Sequence, residues 1–284
     1  MVLVYYILYN PLSSNGSSLK VAESLGKKLA KAGKEYQIED LLIISNDVEA
    51  FVKGIYPTDP VILIGGDGTL HRFSNYIYGK NIPNPLYLYK AGTGNDFSRE
   101  FKKEHLINIK KALERLPKYR ALGKEEYFLN CTGFGVDGEV CSLVNNTKVK
   151  KKGINYLQNA LKTFKNFKHY DLEVTVDGVR HTFKKVWLAT VMNGNYFGGG
   201  MKLSPYSNRF DDVMECYVIH HVPFFKLIFI FPFIFIGKHL WFKSVGITCL
   251  KGHKFNLKAS IPETFQSDGE VMIGVSEIDV GFEE

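Results

Sequence analysis

Four apolar residues, Val61-Ile62-Leu63-Ile64, run directly into Gly65-Gly66-Asp67-Gly68-Thr69, where three of the first four positions are glycine. Glycine carries no Cβ, so it permits positive φ and lets another molecule approach the main chain closely. The next stretch, Leu70-His71-Arg72-Phe73-Ser74-Asn75-Tyr76-Ile77, reads as a helix. The glycines therefore lie between a buried strand and a helix N-terminus, where N–H groups and the positive dipole end suit a phosphate. Asp67 places one carboxylate in the turn, which could hold a Mg²⁺ that bridges to a polyphosphate. A second strand, Pro85-Leu86-Tyr87-Leu88-Tyr89, leads into Ala91-Gly92-Thr93-Gly94-Asn95-Asp96-Phe97-Ser98-Arg99. In a parallel sheet both turns would open at the carboxyl edge, where α/β domains bind ligands.

The elements that must position these turns alternate along the first 120 or so residues, roughly a strand and then a helix each time. Leu3–Tyr9 reads as a strand, Ser18–Ala32 as a helix closed by Gly33, Gln37–Ile43 as a weaker strand, and Asp47–Ile55 as a helix. Such alternation favours a parallel sheet covered by helices. From about Glu126 the pattern changes to period-two segments separated by glycine turns. Leu172–Val179 carries a hairpin signal on Asp177-Gly178. The expectation is an α/β nucleotide-binding domain over 1–125 and a β-sandwich domain over 126–284, with the C-terminal tail free to return to the first.

Composition narrows the function classes. Hydrophobic residues make up 45% and charged ones 23%, as in an ordinary folded protein. The four cysteines form no Cys-x-x-Cys pair, which argues against a zinc site or a disulfide framework and for a reducing compartment. No Gly-x-x-x-x-Gly-Lys-Ser/Thr occurs, so a P-loop is excluded at the motif level. Gly133-Phe134-Gly135-Val136-Asp137-Gly138 satisfies Gly-x-Gly-x-x-Gly, but the acid that a dinucleotide site wants downstream is missing. The histidines show no His-Glu-x-x-His spacing.

The net charge of +7 is uneven. No acid lies between Glu139 and Asp171, a window that holds Lys148, Lys150, Lys151, Lys152, Lys162, Lys165 and Lys168. Ile154, Leu157, Leu161 and Phe164 recur at helical spacing inside it. The window reads either as a solvated helix face or as a surface drawn to anionic lipid, with no nucleic-acid motif to accompany it. Val222–Ile236 is the most apolar stretch, but Lys226, Pro232 and Gly237-Lys238-His239 interrupt or end it. A span needs roughly 20 apolar residues. The segment reads either as a core-packed helix or as one that lines an acyl-chain entrance or enters the membrane interface with Trp241.

Taken alone, Asp211-Asp212 could be a polar turn and Asp268-Gly269-Glu270 a hairpin turn. Together with the two glycine turns, the segment Asn10-Pro11-Leu12-Ser13-Ser14-Asn15-Gly16, Ser204-Pro205 and Asp211-Asp212-Val213-Met214, however, the chain resembles the diacylglycerol kinase catalytic family. These matches run in the family's order from residue 10 to residue 270. Gly-Gly-Asp-Gly-Thr alone would be shared with NAD kinases.

The resemblance implies an α/β domain, a β-sandwich domain and an active cleft between them. It implies an ATP- and Mg²⁺-dependent lipid kinase acting on diacylglycerol at the membrane surface. Asn10, Pro11, Leu12, Ser13, Ser14, Gly65, Gly66, Asp67, Gly68, Thr69, Leu70, Thr93, Asn95 and Asp96 would then form the nucleotide site, with Asp67 and Asp96 organising Mg²⁺ and its waters. Glu270 would be the base, with Asp268 orienting it or exchanging roles with it. Asp212, with the carbonyls of Arg209 and Met214, would hold a structural Mg²⁺, although Val213 stands where the family's glycine follows the second aspartate. The expected partners are a lipid substrate and the anionic inner face of the membrane, with no nucleic acid, and a homodimer is compatible. The alternatives are an NAD kinase-like metabolite kinase and a non-enzymatic membrane-surface protein.

Overall fold

The computed structural model describes residues 2–13, 16–92, 95–101, 105–146 and 163–283. The chain divides into two compact units, Met1–Leu116 and Pro117–Glu284.

In the first unit, β1 (Val4–Tyr9), α1 (Ser18–Lys31), β2 (Glu35–Asp40), α2 (Leu41–Ile44), α3 (Val48–Lys53), β3 (Val61–Gly65), α4 (Asp67–Ile77), β4 (Leu86–Lys90), α5 (Asp96–Arg99), β5 (Leu106–Asn108) and α6 (Lys110–Leu113) follow one another. The sheet order is β2-β1-β3-β4-β5. The first four strands are parallel and β5 closes the edge antiparallel to β4. All five residues of β3 are buried, as expected of a continuous apolar run at the centre of a parallel sheet. Helix α1 buries Ala22, Leu25 and Gly26, and Gly26 is needed because a Cβ there would lie 2.3 Å from the Tyr36 ring. Aspartates start the short helices: Asp40 accepts from the Leu42 N–H (2.8 Å) and Asp47 from the Ala50 N–H (2.9 Å). Registers Tyr9↔Ile64 and Gly65↔Lys90 bring the carboxyl ends of β1, β3 and β4 to one edge.

The second unit contains β6 (Lys118–Ala121), β7 (Lys124–Tyr127), β8 (Cys131–Gly135), α7 (Val136–Asn146), β9 (Tyr170–Val176), β10 (Val179–Met192), β11 (Met214–His220), α8 (Phe224–Phe235), a 3₁₀ stretch (His239–Val245), β12 (Ile247–Gly252), β13 (Lys254–Ser267) and β14 (Glu270–Gly281). The order is β12-β11-β10-β8-β13-β14-β6-β7. The long strands β10 and β13 bend across two neighbours, pairing with β9 along one half and β8 along the other. Most of the buried apolar side chains of this unit form one cluster, to which α8 contributes Leu227, Ile230 and Ile234. The expected boundary at 125/126 falls inside this unit, because the β6–β7 hairpin pairs with β14. The C-terminal strand stays in this unit rather than returning to the first, since β14 is held between β13 and β6.

The Asp177-Gly178 hairpin forms as read, with φ of +46° and +85°. The Gly133–Gly138 stretch is a packing device. A Cβ at Gly133 would lie 2.1 Å from the Ala189 carbonyl, and one at Gly138 2.8 Å from that of Thr264. The lysine-rich window is described only in part. Lys148, Lys150, Lys151, Lys152, Lys162 and the stripe Ile154, Leu157, Leu161 lie outside the described residues.

Candidate active site

Three loops leave the carboxyl edge of the first unit's sheet. After β1, Asn10 is buried and organises its own turn: its Oδ1 accepts from the Leu12 N–H (2.9 Å). Its carbonyl accepts from the N–H of Ser13 (3.0 Å) and the hydroxyls of Ser13 (2.9 Å) and Ser18 (2.6 Å). Pro11 is half-buried and Leu12 is exposed. Ser14 lies outside the described residues.

After β3, Gly66 is extended and stands at the N-cap of α4, where it has no side chain with which to cap the helix. Gly65 must lack a side chain because its Cβ would lie 2.5 Å from that of Thr69. Thr69 itself is buried, and Leu70 is a fully buried core residue, so its part in any ligand site is through the main chain. Gly68 is exposed, with open space where a Cβ would stand.

After β4, the chain returns across this turn. The Ala91 N–H donates to the Gly65 carbonyl (2.9 Å). Gly92, at φ +152°, could carry a Cβ only 3.3 Å from the Gly66 Cα. Asn95 adopts the left-handed conformation (φ +56°), and its Nδ2 donates to the Gly92 carbonyl (2.8 Å). Asp67 joins the loops: its carboxylate accepts from the N–H groups of Asp96 (2.7 Å) and Phe97 (3.0 Å). Asp96 is buried, with Arg99 Nε 3.5 Å from its Oδ1. Thr93 lies outside the described residues. The two glycine turns thus meet main chain to main chain, and Asp67 acts as the clasp between them.

The second unit builds its own site around the β13–β14 hairpin. Asp268 and Gly269 form the two-residue turn with φ of +47° and +91°, closing the pair Ser267↔Glu270. The Asp268 carboxylate accepts from three consecutive main-chain donors, the N–H groups of Leu129 (2.5 Å), Asn130 (2.9 Å) and Cys131 (3.2 Å). Glu270 is exposed. Sequence reasoning missed the supports of this turn. Gln266 accepts from the Gly269 N–H (3.2 Å) and donates to Asp137 Oδ2 (3.1 Å). Burial pushes the Asp137 carboxyl up to about 6, against the lowering effect of the Gly138 N–H, its own N–H and the Gln266 amide.

The same Leu129–Cys131 segment is held from the other side by Arg209 and Asn193. The buried Arg209 guanidinium donates to the Leu129 carbonyl (3.1 Å) and to Asn130 Oδ1 (3.2 Å). Asn193 Nδ2 donates to the Leu129 carbonyl (2.9 Å). A signal for them existed in Asn193-Gly194-Asn195, amides that follow directly on an apolar strand.

Around the expected metal segment, Ser204 is anchored by buried Glu215, which also accepts from Tyr217 (2.8 Å) and Lys251 (2.5 Å). The N–H of Val213 donates to Asp211 Oδ1 (3.0 Å), and His253 Nδ1 donates to the Asp212 carbonyl (3.0 Å). Val213 lies outside the left-handed region, so the missing glycine leaves no backbone strain there. Among the described residues no three His, Cys, Asp or Glu side chains gather to hold a metal. The Arg209, Asp212 and Met214 set offers one carboxylate and two carbonyls. These are hard oxygens that suit Mg²⁺ if waters complete its six positions.

With this geometry in view, the chain can be compared with known proteins. Residues 4–122 match the diacylglycerol kinase catalytic domain, and residues 130–278 match the YegS C-terminal NAD kinase beta sandwich-like domain. The "Putative lipid kinase YtlR" of Bacillus subtilis is 29% identical, over 94% of this chain and 93% of its own. A "Diacylglycerol kinase" of Mycobacterium tuberculosis is 26% identical, over 86% and 82% respectively. A crystal structure from Bacillus anthracis, described as a "putative diacylglycerol kinase", superposes with a TM-score of 0.69 at 22% identity, covering 99% of this chain and 92% of that one, and so shares the fold. The two domain matches, in order and along nearly the whole length, mean that the chain belongs to the diacylglycerol kinase family and is an enzyme of the kinase class.

Proposed function

We propose that the protein transfers the γ-phosphoryl group of ATP to a lipid hydroxyl, with diacylglycerol as acceptor and phosphatidic acid as product. One observation carries most of this reading: the glycine turns after β3 and β4 touch at Gly66 and Gly92, at a sheet edge where a helix begins on a glycine N-cap. That arrangement offers main-chain N–H groups and a helix dipole to a polyphosphate. Gly65, Gly66, Gly68, Thr69 and the turn at Asn10 and Ser13 would hold the nucleotide. Asp67 is committed to the clasp and Asp96 faces Arg99, so neither is assigned a metal. A structural Mg²⁺ is assigned to Asp212 with the carbonyls of Arg209 and Met214. Bound magnesium would neutralise charge on the triphosphate.

In the transfer, the lipid oxygen bonds to the γ-phosphorus while the bond to the β–γ bridging oxygen breaks, and ADP leaves with that electron pair. The hydroxyl proton passes to the Glu270 carboxylate. Positioned general-base catalysis contributes about 10²–10⁴-fold. Asp268, bound to three N–H groups, sets the position of Glu270 rather than exchanging roles with it. The lipid acceptor places the enzyme at a membrane surface.

Purified protein given γ-labelled ATP, Mg²⁺ and diacylglycerol in mixed micelles should yield labelled phosphatidic acid. Glu270→Ala should abolish transfer and keep ATP binding. Turnover retained in that variant rejects the base assignment, and phosphorylation of NAD in place of lipid rejects the acceptor.

A further inference from the structure

Apart from Lys226, helix α8 is apolar all round, a composition found where a helix is wholly enclosed by protein or faces lipid. Only one face is enclosed. Leu227, Ile230 and Ile234 pack into the core of the second unit. On the opposite side lie Phe225, then Ile228 and Phe229 three and four residues on, then Phe235 and Ile236 two turns further, and all are exposed. Trp241, 71% exposed on the following 3₁₀ stretch, extends this surface.

The cations around the patch identify what covers it. From Cys216 to Pro262 the chain contains no acid. Lys226 is exposed on the helix, and Lys238 Nζ lies 4.7 Å from the Trp241 ring centre. Lys202 bonds through its N–H to the Ile234 carbonyl (3.0 Å) at the helix end. Aromatic and aliphatic side chains ringed by lysines complement an anionic headgroup layer above acyl chains. A second copy of the chain would set these lysines against their like. Twelve residues span about 18 Å, short of a bilayer core of about 30 Å. No helix among the described residues is long and apolar enough to cross a membrane.

We infer that this face, Phe225, Ile228, Phe229, Phe235, Ile236 and Trp241 with Lys226 and Lys238 at its rim, lies in the interface of an anionic bilayer. It deepens the lipid-kinase reading and rests on it for its purpose. Its test uses neither nucleotide nor acceptor, so either idea can fail alone.

The two tryptophans make a direct reporter. Trp187 is 3% exposed, with its indole N–H bonded to the Val222 carbonyl (2.7 Å), so it serves as a fixed background. On adding vesicles of phosphatidylglycerol and phosphatidylcholine to the full chain, Trp241 emission should shift to the blue. Bromine on the acyl chains should quench it. Phe229→Ser with Trp241→Ala should weaken co-sedimentation at least about tenfold, with Trp187 emission unchanged as proof of folding. Pure phosphatidylcholine vesicles should bind more weakly. Co-sedimentation without a shift or quenching of Trp241 overturns the inference, as does a variant that binds like the parent. A lipid-free dimer dispersed by Phe229→Ser also overturns it, by assigning the face to a second copy.

Discussion

Both candidate turns pair an aspartate with glycine, yet the two aspartates close different things. Asp67 ties one loop to another across an open sheet edge, using the N–H groups of Asp96 and Phe97. Asp268 ties a hairpin to the chain entering β8, using three consecutive N–H groups. In the first turn, what faces outward is main chain, Gly68 above all. In the second, it is a side chain, Glu270. The contrast teaches that the carboxylate most firmly bonded at each turn is a fastener. The chemistry belongs to its neighbours: N–H groups for a phosphate in one case, a proton acceptor in the other.

The largest expected effect separates fastener from neighbour in the second turn. Asp268→Ala would strand three main-chain donors and should lower stability by about 4 kcal/mol, read by urea or thermal unfolding. Glu270→Gln should leave stability within about 0.5 kcal/mol and lower turnover by about 10²–10⁴-fold. Equal stability of the two variants would break the distinction. In the first turn, Asp67→Ala removes two bonds to a charged acceptor and should cost about 3 kcal/mol. It should also raise the KM for ATP more than it lowers kcat, because what it loosens is the loop geometry. Gly92→Ala should cost about 2 kcal/mol, since alanine disfavours φ +152° and its Cβ would press on Gly66. Calorimetry with a non-hydrolysable ATP analogue should show weaker binding, and parental affinity would mean that the nucleotide does not depend on this contact.

How much of this could be read from the sequence depends on the range over which the deciding interaction acts. The strand–glycine–helix turns, the Asp177-Gly178 hairpin and the helix near 224–235 follow from local rules of periodicity and φ preference, and they stand where the sequence puts them. The extent of the first compact unit has no such local mark, because whether Lys118–Tyr127 packs with the first unit or the second depends on β14, far along the chain. The Asp67 and Asp268 clasps were equally out of reach. Their partners are main-chain N–H groups, which every residue type carries, so no pattern marks them. Leu70 illustrates the limit of a motif: it belongs to the glycine turn in sequence, but its side chain is core.

Behind the second turn stands a further carboxyl, that of Asp137. Gln266 reaches from the Gly269 N–H to Asp137, and Asp137 Oδ1 is enclosed with no hydrogen-bond partner among the described residues. Burial raises that carboxyl from 3.8 to about 6, so between those values the folded chain holds a proton that the unfolded chain has released. Stability therefore falls as pH rises through this window and levels off above it. The shift corresponds to roughly 3 kcal/mol. Asp137→Asn, a neutral side chain of the same shape, should match the parent near pH 4 and exceed its stability by about that amount above pH 6. If both proteins lose stability in parallel from pH 4 to 6, another group carries the slope, and Asp137 ionises without strain behind the turn. If only the parent's slope disappears in the variant while turnover is unchanged, the Asp137–Gln266 support is structural alone. If turnover loses a pH limb near 6 as well, that support sets the position of Glu270 through Gly269.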